Sequence, residues 1–249
     1  MRLNNDDAYI PAKTIINNIM PYFIDIDGNF IEQFQTTGFD SRIWELYLFS
    51  YFIEDSFVID RRHNRPDFIL SKYGDNIAVE AVTVGRKNPP KYMQLDPEKY
   101  FRKLLSDKED DNEMAIKFGS PLFSKLSKKY WELDYLKGIL IIIAIADFHE
   151  DYSMTWSHNS LIKYLYGYKH DYYHDKNGTL IILPKKIKNH IHGSKIIPSG
   201  FFDQPDVENI SGILFSSSGT ISKFSRMAIQ SGFGVKKIKT YREPINNYV

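Results

Sequence analysis

Two carboxylates, Asp67 and Glu80, are the residues of this chain best placed to do chemistry. Asp67 stands in Arg65-Pro66-Asp67-Phe68-Ile69-Leu70, and Glu80 in Ile77-Ala78-Val79-Glu80-Ala81-Val82-Thr83-Val84. Both runs read as β-strands, joined by the turn Lys72-Tyr73-Gly74-Asp75-Asn76. A carboxylate on a buried strand is costly unless something cationic meets it. Two of them on adjacent strands suit a hard divalent ion, Mg²⁺ or Mn²⁺, which takes oxygen ligands and keeps several waters. Such an ion polarises a phosphoryl oxygen and activates water, which is the chemistry of a hydrolase. The plainer alternative makes Asp67 an acid beside a turn and pairs Glu80 with a basic residue.

Glu45 is a third acid on an unfavourable background. It lies in the run Arg42–Asp55 (RIWELYLFSYFIED), which predicts a helix apolar on almost every side, with Ser41 as its N-cap. A carboxylate there needs a partner, either Arg42 at i−3 spacing or a metal ion.

The basic residues supply the other half of a phosphodiester site. Arg61, Arg62, His63 and Arg65 form the densest basic loop ahead of the acids, and phosphate contact is their natural role. Lys185-Lys186-Ile187-Lys188 and Lys236-Lys237-Ile238-Lys239 are further basic clusters, equally readable as solvated surface. With a net charge of +1 over 249 residues, any nucleic-acid site must be a local patch. The absence of cysteine excludes disulfides, thiolate zinc sites and a thiol nucleophile. There is no glycine-rich phosphate loop followed by Lys-Ser/Thr, and no G-x-S-x-G elbow. Asp147, His149, Glu150 and His158 match no helical metal motif and read as loop residues after a strand.

The elements that must position these groups follow from apolar patterning. A short strand is expected at Phe57–Asp60, and residues 85–111 read as a polar excursion with Pro89-Pro90 and the charged run Asp107–Asp111. Met114–Phe118 reads as a short extended piece. Gly119-Ser120-Pro121 predicts a helix start with Ser120 as N-cap, running to about Leu133. Its stripe is Leu122, Leu126 and Tyr130, flanked by Lys125, Lys128 and Lys129. Ile139–Ala146 is a continuous β-branched run, as in a central strand covered on both faces. Beyond it a helix is expected at Ser160–Tyr166, strands at Leu180–Leu183 and Gly212–Phe215, and a helix at Phe224–Gln230. The order over 42–146 is α-β-β-β-α-β, an α/β fold with a mixed central sheet flanked by helices. Residues 1–41 read as a lead-in, 42–150 as the core with an insertion at 85–118, and 151–249 as a C-terminal α/β extension.

Glu45 on its helix, the pair Pro66-Asp67 and the strand acid Glu80 together resemble the active-site core of the PD-(D/E)XK, or restriction-endonuclease-like, nuclease superfamily. The resemblance covers about residues 42–146. It implies that Asp67 and Glu80 ligate Mg²⁺ or Mn²⁺, that Glu45 assists, and that a lysine two residues after the strand acid orients the water. Here that position is Val82. Either the site is inactive, or the lysine comes from a neighbouring element, as the superfamily tolerates. Lys125 is the first candidate, Lys117 the second and Lys128 the third. An ammonium there would stabilise hydroxide and the charge developing on phosphorus oxygens.

The resemblance thus implies a metal-dependent endonuclease acting on nucleic acid, DNA foremost, of a restriction, defence or repair type, with homodimerisation compatible. One rival is an inactive nuclease-like fold that binds nucleic acid or protein. Another is an interaction protein with a partner surface of Tyr164, Tyr166, Tyr168, Tyr172 and Tyr173. The N-terminus lacks the apolar run of a signal peptide, and the longest apolar run, Ile139 to Ala146, falls far short of the roughly 20 residues that span a bilayer. A cytoplasmic protein without a membrane partner is the expectation.

Overall fold

A computed structural model describes residues 7–86, 111–150, 153 and 156–233. The chain divides into two compact units, residues 1–23 with 220–249, and residues 24–219. In the first, helix α1 (Ile10–Ile19) packs on helix α6 (Ile221–Gln230). Thr220 caps α6, its hydroxyl accepting the backbone N–H of Lys223.

The second unit is a mixed α/β arrangement around a five-stranded sheet. Helices α2 (Phe30–Gln35) and α3 (Phe39–Glu54) precede strands β1 (Val58–Asp60), β2 (Phe68–Lys72) and β3 (Asp75–Val84). Helix α4 (Asp111–Leu126), strand β4 (Leu140–Asp147) and helix α5 (His158–Tyr166) follow. Strands β5 (Tyr168–His174) and β6 (Leu180–Lys186) form one two-stranded ribbon, and β7 (Asn189–His192) and β8 (Lys195–Pro198) form another. Strand β9 (Gly212–Phe215) returns to the main sheet, whose order is β1-β2-β3-β4-β9. The β1/β2 and β2/β3 pairs are antiparallel, and β3/β4 and β4/β9 are parallel.

Alternation along the strands gives the sheet two different faces. Ala78 and Val84 of β3, with Ile141, Ile143 and Ile145 of β4, bury against Met114, Phe118, Leu122 and Leu126 of α4 and Leu161 of α5. Toward the end of β4 the other phase holds Ala144 and Ala146, and there the fully buried Trp44 of α3 donates its indole N–H to the Ala144 carbonyl at 3.1 Å. Alanines there leave room for a large ring to reach the backbone.

Expectations about two helices need correction. Met114–Phe118 is not extended, and Ser120 does not start a helix; one helix runs from Asp111 to Leu126. Its apolar positions, Met114, Phe118, Leu122 and Leu126, recur every four residues and are buried throughout. That stripe carries the helix through Pro121, and Ser120 donates its hydroxyl to the Ile116 carbonyl at 3.1 Å instead of capping. The helix ends at Leu126 rather than near Leu133, and short 3₁₀ turns at Tyr130–Glu132 and Asp134–Leu136 follow Lys129, whose φ is +49°. In α3 the start lies at Phe39, so Ser41 is inside the helix and its hydroxyl meets that of Thr83 at 2.8 Å. Among the described residues no helix is long and apolar enough to cross a membrane.

Candidate active site

The acids meet where the β2/β3 ladder ends. Phe68 pairs with Val79, so the next rung would set Asp67 opposite Glu80. There the carboxylates take over the hydrogen bonding. The N–H of Asp67 donates to Glu80 Oε2 at 3.3 Å, and the N–H of Ala81 donates to Asp67 Oδ2 at 2.7 Å. Each acid is thereby fixed by the other's strand. Asp67 Oδ1 accepts no hydrogen bond among the described residues.

Glu80 is buried, at 5% exposure, on the face of β3 that α4 covers. Its Oε1 accepts an ion-paired hydrogen bond from the ammonium of Lys125, in the last turn of α4. Leu122 and Leu126 on either side of Lys125 are buried, so the lysine lies at the margin of the stripe and its stem can run along apolar surface to the carboxylate. Val82 shares the Glu80 phase and packs into the α4-side core. The ammonium therefore reaches the acids from the helix rather than from the strand.

A further group went unnoticed in the sequence. The phenol of Tyr130, 3% exposed, lies close enough to Glu80 to feel its charge. Burial first, and then the negative charge of Glu80, push its pKa upward, so it remains neutral. Its stripe spacing with Leu122 and Leu126 hid it. The usable signal was its hydroxyl, since a buried tyrosine needs a partner.

Asp67 is pushed up to about 8, by burial foremost and then by the charges of Glu80 and Glu45. The Ala81 N–H and Lys125 pull the other way without overcoming this. Glu45 is raised by burial against the opposing charge of Arg42. Of the two partners open to Glu45, Arg42 is present, its Nη1 2.6 Å from Oε2. The same guanidinium donates to Gln33 Oε1 and Asn29 Oδ1, tying α2 to α3. Glu45 thus acts on Asp67 and Glu80 through its charge.

The other sequence candidates are placed elsewhere. Lys117 pairs with Glu113 at 2.8 Å, one turn away on its own helix, and Lys128 is exposed beyond the helix end. Arg61 donates to the carbonyls of Asp67 (2.8 Å) and Ile24 (2.7 Å), so it braces the strand carrying the acid. Arg62 pairs with Asp60 at 2.6 Å on the surface. His63 stacks on Tyr135 at 3.8 Å, and the Tyr135 hydroxyl donates to the Arg65 carbonyl, while Arg65 itself is exposed. Of the five tyrosines, Tyr164 is buried and Tyr166, Tyr168, Tyr172 and Tyr173 are exposed. Asp147 accepts the His149 N–H at 3.0 Å and lies 2.7 Å from His149 Nδ1, a buried tie at the end of β4. His158 opens α5.

No family model, curated protein or solved structure matches the chain. What the site can do therefore rests on its own side chains. Among the described residues no group of three or more His, Cys, Asp or Glu is disposed to hold a metal ion. Mg²⁺ requires less, since one or two carboxylates with water suffice. Asp67 and Glu80 are two hard oxygen donors linked through hydrogen bonds, and like charge raises the pKa of Asp67. A divalent cation would remove that repulsion, so the donor set fits one.

Proposed function

We propose that this chain is a metal-dependent nuclease of the PD-(D/E)XK type, hydrolysing phosphodiester bonds of nucleic acid, DNA foremost. The reading rests above all on one observation: an ammonium, that of Lys125, meets Glu80 beside Asp67 although the strand position two residues on is Val82. Asp67 and Glu80 would hold Mg²⁺ or Mn²⁺, which when bound supplies Lewis acidity toward a phosphoryl oxygen. Lys125 places its ammonium on the same face, where it can orient water and stabilise charge growing on the phosphate oxygens. The backbone N–H of Asp67 fixes the Glu80 carboxylate, the Ala81 N–H fixes Asp67, and the buried Tyr130 phenol lies beside Glu80. Glu45, already held by Arg42, contributes negative potential.

The second reading, a nuclease-like fold that binds nucleic acid without cutting it, is favoured by that pairing of Glu45 with Arg42. The two readings separate by assaying plasmid and oligonucleotide cleavage with Mg²⁺ and Mn²⁺ for wild type, Asp67→Ala and Glu80→Ala. Cleavage is expected in the wild type and absent in both variants, with unchanged circular dichroism. Equal cleavage by all three would remove the nuclease assignment.

A further inference from the structure

The β5–β6 ribbon spends almost none of its surface on the core. Asp171 of β5 and Ile181 of β6 are partly covered, and every other residue of the two strands is exposed. Its register gives it two unlike faces. Tyr168, His170, Tyr172 and His174 lie at consecutive same-side positions of β5, opposite Lys186, Pro184, Ile182 and Leu180. That face holds four rings at a spacing of about 7 Å, and no acid. The other face carries Lys169 and Lys185, with Asp171 neutralised by its ion pair to Lys185.

Charge is concentrated in the same stretch. Residues 158–200 contain seven lysines and two aspartates, a net +5 with histidine neutral, whereas the whole chain is +1. The remainder is therefore −4. A cleft at the ribbon's base continues the pattern, lined by Tyr166, Tyr168, His170, Lys163 and Lys169 and again free of acids. Lys163 is anchored there by Asp111 of α4 at 2.8 Å. The helix that brings Lys125 to Glu80 therefore also anchors the base of the ribbon.

Exposed rings along one face, in a stretch of net positive charge where Lys186 makes only a long 3.8 Å contact with Asp203, match what an unpaired nucleic-acid strand requires. Bases stack on aromatic side chains, and phosphates are attracted to lysine. We propose that the β5–β6 ribbon and the α5/β5 cleft are a binding arm for single-stranded nucleic acid. Bases stack on Tyr168, His170 and Tyr172, Lys186 faces the phosphates from the ring face, and Lys169 does so from the cleft that it lines with Tyr168 and His170. The arm deepens the nuclease reading and rests on it for the identity of the polyanion.

The test measures fluorescence anisotropy of a labelled single-stranded oligothymidylate with Asp67→Asn protein, so that cleavage does not intrude. Tyr168→Ala with Tyr172→Ala should weaken binding at least about tenfold, given the cost of losing a stacked base. Tyr172→Trp should retain it. Lys169→Glu with Lys186→Glu should weaken binding and flatten its dependence on salt. Circular dichroism of each variant should match the parent, because the substituted side chains are exposed. Unchanged affinity in the tyrosine variant overturns the arm. So does a dimer in sedimentation that Tyr172→Ala dissociates, since the face would then cover a second copy. Cleavage by wild type with ribbon-independent binding overturns the arm alone, whereas ribbon-dependent binding without cleavage overturns the nuclease reading alone.

Discussion

The acid pair and the β5–β6 ribbon belong to the same compact unit and treat charge in opposite ways. Around Glu80 the charges are few, largely buried and met by fixed partners: the Lys125 ammonium and the Asp67 N–H address one carboxylate, with the buried Tyr130 beside it. On the ribbon the charges are predominantly positive and mostly exposed, with Asp171 paired to Lys185, and the rings beside them face solvent. A buried group acts through a fixed geometry in a medium where each charge counts for more. An exposed basic face acts through attraction and stacking that tolerate many sequences. One region suits selective chemistry on a single bond, the other the holding of a long ligand.

Substitutions should separate the two regions. The largest effect is expected at Lys125. Lys125→Ala should lower metal-dependent cleavage about 100-fold or more, the scale for losing one preorganised electrostatic contact. It should leave oligonucleotide anisotropy unchanged. Adding Val82→Lys to that variant should recover part of the rate, because position 82 shares the Glu80 face. A Lys125→Ala protein with full activity would leave the ion pair a structural role only.

The next effect is on stability against pH. Asp67 holds its proton more tightly when folded, at about 8, than its ordinary value of 3.8. Its contribution is complete below about pH 4 and is lost as pH rises through about 8. Without metal, the unfolding free energy from urea titrations should fall between about pH 6 and about pH 9, by the order of 1–2 kcal/mol more in wild type than in Asp67→Asn. Millimolar Mg²⁺ should abolish that difference by favouring the ionised carboxylate. Equal pH profiles for the two proteins would show that the carboxylate is not perturbed.

The smallest effect belongs to the ribbon. Tyr172 is 73% exposed, so Tyr172→Ala should change unfolding free energy by no more than about 0.5 kcal/mol. A larger loss in chemical denaturation would mean that its ring packs on something and is not offered to a ligand.

Much of the frame was readable from periodicity. The apolar runs at Phe68–Leu70, Ile77–Val84 and Ile139–Ala146 are strands of the main sheet, and the helix around Glu45 is buried on most sides. The turn at Gly74 was readable too, since its φ of +95° suits glycine. The true span of α4 was not, because the Ser-Pro signal at 120–121 imitates a helix start, and only a packed sheet beneath shows that the stripe begins with Met114. The ribbon strand at Tyr168–His174 escaped for a related reason. Its alternation is of rings against charges, with no apolar core face to reveal it.

By itself the sequence determined which strands must be buried and that Asp67, at the start of one, meets Glu80 on its neighbour, because period and turn chemistry are local. Tertiary structure decided which cation meets them. Lys125 is 45 residues from Glu80, and its neighbours Lys117 and Lys128 have the same chemistry. The phase of α4 and its seat on the sheet select among the three. Helix phase is fixed by the whole stripe that packs, and no single residue of it announces which lysine will lie over the acids.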